Sequence, residues 1–377
     1  MQQTWNQWLG APGTVPPPLD AFLSRARAER RVAEVLHRWC ATAALAVHVE
    51  RGEAAPGGVA LLDQVRELDP RLLEAVSRGK AGADRRDRLR ASTDWSERCL
   101  GSGIPSGYGP ALARRAAAWG EERASAWLAA QDTRPPLWLY VREAAAVDEL
   151  RAEGFEVVEE QGAVRVSGRR PVEGSAAFRA GRVEIRDLSS QRLGALATPG
   201  PAQIAWDVCA GRGGKTVQMA VGLRGRGSVH ATDTDERKLA DLKIRVRRAG
   251  LADHVRIRAW DGLSVPAFGA EAKRGFDVIL VDAPGSASGT WRRNPDARLR
   301  HDPARLGQTT DLQRRLLALA ATALRPGGRL VYGTCSWCVE EDEDVAGSLE
   351  GFASEPALFG PPDQDADTMF ASVLRRS

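Results

Sequence analysis

The sequence predicts an α/β protein whose carboxyl-terminal half is a doubly wound, mostly parallel sheet, preceded by a small α+β domain and a helical amino-terminal region. Three observations predict it. Beyond Arg182, strand candidates ending at Ala210, Asp233, Trp260, Asp282 and Thr334 alternate with helix-like segments around 215–223, 236–249 and 311–324, the pattern of strands joined by helical crossovers. The run DVCAGRGGKT (207–216) joins the first of these strands to the first helix through Gly211, Gly213 and Gly214, where missing Cβ atoms let a ligand approach the backbone and the N–H groups of a helix start. Acidic residues stand at the strand ends, the place where such sheets bind ligands.

The 377 residues exceed one ordinary domain, and texture divides them into a helical region 1–95, a small α+β domain 96–181 resembling an RNA-recognition unit, and the regular α/β domain 182–377. Hydrophobic residues (43%) and charged residues (27%) are in ordinary globular balance, and no apolar run approaches the ~20 residues that span a bilayer. MQQTWNQWLG has neither a basic nor an apolar leader region, so a cytoplasmic protein without a membrane partner is expected. Cys40, Cys99, Cys209, Cys335 and Cys338 are odd in number and scattered, which argues for reduced thiols. The net charge of +4 includes arginine-rich runs at 25–31, 85–90, 245–248 and 292–293, which are either solvated helix faces or contacts for a phosphate-rich partner.

In chain order, residues 1 to about 18 read as an irregular lead-in ending at Pro16-Pro17-Pro18. Asp20 is expected to cap a helix that carries Phe22, Val32, Val35, Leu36, Trp39 and Cys40 to about His48, and a second helix is expected over Gly58–Val76. Gly79–Arg90 reads as a basic connector. After the loop SGIPSGYGP comes a long helix, Ala111–Gln131, stopped by Pro135-Pro136. A strand over 137–142, a helix over Val147–Glu153 and strands over Glu156–Val158 and Ala163–Val166 complete the α+β unit. Trp138, Tyr140 and Arg142 alternate along the first of these strands, and they either fill a core or offer RNA a stacking and phosphate-contacting face.

Asp233 follows the glycine turn by about 20 residues at a strand end, where a carboxylate accepts hydrogen bonds from a ribose. That narrows the ligand to a nucleoside. NAD and S-adenosylmethionine both qualify; the turn lacks the G-x-G-x-x-G spacing suited to a pyrophosphate, and Asp207 beside it tolerates a cation better than a diphosphate, so the methionine cofactor is favoured. Asp261, after the third strand, either reaches an adenine amino group or belongs to a simple Asp-Gly turn. The fourth strand displays Asp282 in the cleft and the fifth displays Cys335 beside it, as a nucleophile or as a small buried hydrophobe.

DVCAGRGGKT, then VDAPGSASGTWRRNPD, then LQRRLLALAATALRPGGRLVYGTCS with the following EEDE closely resemble the RNA cytosine-5 methyltransferases of the RsmB/NOP2/Sun type. The resemblance runs from about Ile104 to the end and takes in PPLWLYVR, RVEIRDLSSQ and MFASVLRR. It implies a Rossmann-like, S-adenosylmethionine-dependent methyltransferase domain that forms 5-methylcytosine in RNA, most readily ribosomal RNA, with no metal and as a monomer. It assigns Cys335 to attack carbon 6 of the base, Asp282 to N3, and Cys209, Ala210, Gly211, Arg212, Gly213, Gly214, Lys215, Asp233, Asp261 and Asp282 to the cofactor. The target cytosine must leave its stack or lie in a single strand. Arg292 and Arg293 either contact the RNA backbone or lie in a solvated loop. Two positions depart from the family: Gly211-Arg212 replace Ala-Pro in the cofactor turn, and Gly285 replaces the cysteine used in breaking the covalent adduct. Cys338 is a substitute, a redox partner of Cys335, or a packed bystander. Without the second thiol, methyl transfer is expected to survive while product release limits turnover. The alternative is an RNA-binding assembly factor that kept the fold and lost turnover.

Overall fold

The computed structural model describes residues 1–26, 30–52, 57–160, 162–168 and 170–376; the arginine run 25–31 lies partly outside them. Its sheets confirm the α/β class. A four-stranded antiparallel sheet consists of β1 (Leu137–Val141), β2 (Glu156–Glu160), β3 (Ala163–Ser167) and β4 (Val183–Ile185) in the order β2-β3-β1-β4. A seven-stranded sheet consists of β5 (Ile204–Asp207), β6 (Ser228–Asp233), β7 (Val255–Ala259), β8 (Phe276–Asp282), β9 (Leu324–Thr334), β10 (Phe352–Phe359) and β11 (Met369–Arg376) in the order β10-β11-β9-β8-β5-β6-β7. From β7 across to β9 all pairs are parallel, and β11 and β10 close the other edge antiparallel.

Helices cover both faces, which is why β8 is a near-continuous apolar run and β6 is buried along almost its whole length. Ala205, Val229, Val278 and Leu280 meet Val217, Leu239 and Leu242 on one face, while Trp206, Ile279 and Val281 meet Leu316 and Leu317 on the other. Strand order reverses between β5 and β8, so a crevice opens at their carboxyl ends. The first and third strands of this sheet stop at Asp207 and Ala259, short of the expected Ala210 and Trp260.

Contacts divide the chain into two units. One comprises Met1–Arg134 with Ser286–Thr309 and Ser336–Glu340; the other comprises Pro135–Gly285, Thr310–Cys335 and Glu341–Ser377. In this division residues 96–134 go with the helical unit.

Within that unit the expected lead-in is helical over Gln2–Leu9, with Trp5, Trp8 and Leu9 buried on one face. Pro18, not Asp20, precedes the helix Leu19–Arg25, and Asp20 pairs with His37 at 2.8 Å. The expected helix 58–76 is two, Gly58–Glu67 and Pro70–Arg78, because Pro70 cannot continue a helix and starts one, capped by the Asp69 carboxylate accepting from the Arg71 N–H. The basic connector is a helix, Lys80–Arg90. The expected helix 111–131 is broken at Gly120, whose φ of +87° no helix accepts, into Gly109–Trp119 and Glu121–Ala130.

In the other unit, Trp138 is 2% exposed and its indole N–H donates to the Asp365 carbonyl, so it fills a core. Tyr140 lies under the Arg186 guanidinium, 4.4 Å from its ring, and Arg142 donates to the carbonyls of Gly181 and Ala249. Arg245 and Arg248 are taken up by the buried carboxylate of Glu184, at 3.2 and 2.6 Å. Among the described residues no helix is long and apolar enough to cross a membrane.

Candidate active site

β5 ends on Asp207, 1% exposed, whose carboxylate accepts from Thr216 Oγ1 at 2.6 Å. Burial pushes its pKa up to about 7. The turn that follows passes through left-handed backbone at Gly211 (φ +53°) and Gly213 (φ +82°). A Cβ on Gly213 would lie 2.6 Å from Leu242 Cγ, so both conformation and space demand glycine before the helix Gly214–Gly222. The Gly211 N–H donates to Asp233 Oδ2 at 2.8 Å and the Asp235 N–H to Asp233 Oδ1 at 2.9 Å, which fixes the carboxylate at the end of β6.

A pocket of about 320 Å³ opens here, at the carboxyl ends of β5, β6, β7 and β8. Cys209, Gly211, Asp233, Asp261 and Asp282 line it, with Trp260, Leu312 and Leu316 as apolar wall. Burial, and then the surrounding carboxylates, push the Cys209 thiol up. Asp261 is exposed and accepts from the Leu263 N–H at 2.9 Å, so it both makes the Asp-Gly turn and borders the pocket. Ala210, Arg212, Gly213 and Gly214 shape the turn without lining the pocket; Arg212 is exposed and faces Asp241 at 3.4 Å.

Lys215 leaves the same turn, and its ammonium donates to Asp282 Oδ2 at 2.6 Å. Asp282 lies opposite Gly333 on β9, two residues before Cys335. Cys335 is partly exposed; burial pushes its thiol up to about 12, with the charges of Asp282 and Glu341 acting in the same direction and Lys215 against them. The resting thiol therefore carries its proton at neutral pH. A carboxylate paired to an ammonium, one strand from a thiol and bordering a nucleoside-sized pocket, can deliver a sulfur nucleophile and a proton to one ring.

Sequence reasoning placed Lys215 only with the cofactor turn and gave Glu341 no place. Glu341 and Gln313 are both fully buried (0% exposed). Gln313 Nε2 donates at 3.1 Å to Glu341 Oε1 and at 3.1 Å to the Pro284 carbonyl. The sequence offers only the acidic run EEDE, from which no single carboxylate stands out.

Arg292 and Cys338 belong to the helical unit. Arg292 is 7% exposed and donates from Nε to the Thr133 carbonyl and from Nη2 to Thr133 Oγ1, at 2.9 and 2.8 Å, so neither RNA contact nor a solvated loop describes it. Cys338 is a free, buried thiol packed in one cluster with Tyr108, Trp127, Trp291 and Trp337, and Cys335 is also free, so no disulfide joins them.

Residues 195–350 match the family model described as 16S rRNA methyltransferase RsmB/F. The ribosomal RNA small subunit methyltransferase B of Enterobacter sp. (strain 638) is 31% identical over 245 residues, covering 62% of this chain and 56% of that protein. The chain thus spans about half the length of the curated relatives it matches. Among solved structures, a methyltransferase homolog protein from Pyrococcus horikoshii superposes with a TM-score of 0.62 at 24% identity, covering 76% of this chain and 100% of that one. The structure of NSun6 from Pyrococcus horikoshii with SFG gives 0.62 at 17% identity, covering 70% and 97%. These likenesses bear out the Rossmann-like methyltransferase fold, and the family match bears out the resemblance to the RsmB/NOP2/Sun type.

Proposed function

We propose that this chain, of the RsmB/F methyltransferase type over residues 195–350, forms 5-methylcytosine in RNA, with ribosomal RNA as substrate and S-adenosylmethionine as cofactor. The observation that carries the reading is the Asp282 carboxylate, which borders the pocket and holds the Lys215 ammonium one strand away from Cys335.

The pocket suits the cofactor. Asp233, oriented by two backbone N–H groups, is set to accept from ribose hydroxyls, and Asp261 from an adenine amino group. The carboxylates of Asp233 and Asp282, which both line the pocket, favour a sulfonium over a diphosphate. When bound, S-adenosylmethionine would supply an electrophilic methyl group, activated by its sulfonium sulfur, for carbon 5 of the base.

Carbon 5 of cytosine is too weak a nucleophile for this until carbon 6 is saturated. Cys335 Sγ forms a bond to carbon 6, the thiol proton passes through Asp282 to N3, and the ring becomes an enamine. Lys215 holds Asp282 in place and offsets the negative charge that keeps the thiol protonated. The base reaches these groups unstacked.

RNA carrying 5-fluorocytidine at the target is expected to be trapped covalently by the wild type in the presence of S-adenosylmethionine, and not by Cys335→Ala. Bisulfite sequencing of ribosomal and transfer RNA from cells with and without the gene locates the target as one lost site. Trapping that follows Cys338 or Cys209 overturns the assignment of the nucleophile. No lost site and no trapping leave an RNA-binding assembly factor.

A further inference from the structure

Adduct formation uses Cys335, Asp282 and Lys215 and leaves without a task a second buried carboxylate, Glu341, which Gln313 ties to the carbonyl of the pocket-lining Pro284. Glu341 is fully buried, and its charge bears on the Cys335 thiol next after that of Asp282. A buried carboxyl group needs a hydrogen-bond partner, and here the Gln313 amide, itself tied to the Pro284 carbonyl, donates to Glu341 Oε1.

Gly285 makes room for it. A Cβ at position 285 would lie 2.4 Å from Glu341 Oε1 and 2.9 Å from Gln313 Nε2. The backbone there is not left-handed, so conformation does not require glycine; the carboxylate's approach does.

The chemistry requires a base at this stage. After methylation, carbon 5 of the adduct bears both the new methyl group and its original hydrogen, and sulfur cannot leave carbon 6 until that hydrogen is removed. Asp282 is engaged with Lys215 and, in the reading above, with the N3 proton.

We propose that Glu341 is the catalytic base that takes the carbon-5 proton and thereby frees the methylated cytosine from Cys335; this rests on the 5-methylcytosine reading. The C5–H bond breaks and its electron pair forms the C5=C6 bond. The C6–Sγ bond breaks with its pair on sulfur, the N3 proton returns through Asp282 to that sulfur, and Glu341 releases its acquired proton to solvent. One methyl cation enters the base and one proton leaves it. The site that lacks a thiol at 285 thus has a carboxylate in that space, and wild-type release does not lag behind methyl transfer.

The test uses the full chain, RNA containing the target cytosine, and labelled S-adenosylmethionine. The wild type is expected to show equal single-turnover and multiple-turnover rates. Glu341→Gln, which keeps the hydrogen bond from Gln313, is expected to transfer one methyl per enzyme and then to turn over about a hundredfold more slowly. It is also expected to accumulate a denaturant-stable adduct with ordinary RNA, and Cys335→Ala in the same chain to abolish that adduct. Glu341→Asp, which withdraws the carboxylate by one methylene, is expected to slow release less and serves where Glu341→Gln does not fold. Gly285→Cys alone, whose Cβ meets Oε1, is expected to slow the enzyme, whereas Gly285→Cys with Glu341→Ala regains turnover relative to Glu341→Ala. Wild-type steady-state rates and no adduct in Glu341→Gln and Glu341→Asp overturn this inference and leave the methyltransferase reading standing. A wild type that neither methylates nor is trapped by 5-fluorocytidine overturns that reading instead.

Discussion

Asp207 is a buried acid whose ionisation weakens the fold. Its pKa is raised from the ordinary carboxylate range to about 7, so the folded state holds its proton where the unfolded chain has lost it. The stabilisation this represents is complete below about pH 4 and is lost as pH rises through 7. Urea unfolding is expected to show the wild type losing about 2–4 kcal/mol from this group between pH 4 and 8, a loss absent from Asp207→Asn. Equal pH slopes in the two proteins would refute the assignment. Asp233 is expected to act on the ligand: Asp233→Ala should weaken S-adenosylmethionine binding by about 1.5–3 kcal/mol in calorimetry, and NAD binding with no response to the methionine cofactor would refute the choice of cofactor. Asp207, Asp233, Asp282 and Cys335 were legible because each stands at the end of a strand that the alternation predicts. The Lys215–Asp282 pair and the Glu341–Gln313 clamp were not, since the neighbours that define them come from other strands and helices.

Glycines at element boundaries differ in what they contribute. Gly213 and Gly120 both have a positive φ, at +82° and +87°, though only Gly213 is in the left-handed helical well, and a Cβ on Gly213 meets Leu242 whereas one on Gly120 meets nothing within 4 Å. Gly120→Ala is therefore expected to cost about 1–3 kcal/mol from backbone strain alone, and Gly213→Ala about 2–4 kcal/mol because overpacking adds to the strain. Chemical denaturation of both variants checks the order, and equal costs would show that Leu242 yields freely. The helix Lys80–Arg90 escaped sequence reading because it lacks the apolar stripe that marks a helix, and its buried contact is through Gly82. Trp5, Trp8 and Leu9 do have helical spacing, but eight residues make too short a run to stand out from a proline-rich lead-in.

At the scale of the molecule, the segments Ser286–Thr309 and Ser336–Glu340 leave the ends of β8 and β9 and complete the core of the helical unit. Trp291 and Trp337 pack there with Tyr108 and Trp127, Arg298 donates to the carbonyls of Ser102 and Gln131, and Asp296 accepts from the Leu19 N–H. A fragment of residues 135–377 is therefore expected to expose these indoles, to aggregate, and to be cut by protease within 286–309, sites protected in the full chain. A fragment that stays soluble and uncut there would show that those segments hold their shape unaided. No periodicity in the sequence announces such pairings, because the partners stand far apart along the chain.

This interleaving also governs the order of folding during synthesis. Residues 1–134 leave the ribosome before the segments that complete the cluster around Tyr108 and Trp127, which come after residue 285 and after residue 335. At about 5–20 residues per second the earlier helices wait roughly 10–40 s for the last of those segments. The cluster around Tyr108 and Trp127 is then left without its partners during translation, and nascent chains stalled before residue 286 should be digested within 99–128, whereas chains carried past residue 340 should resist.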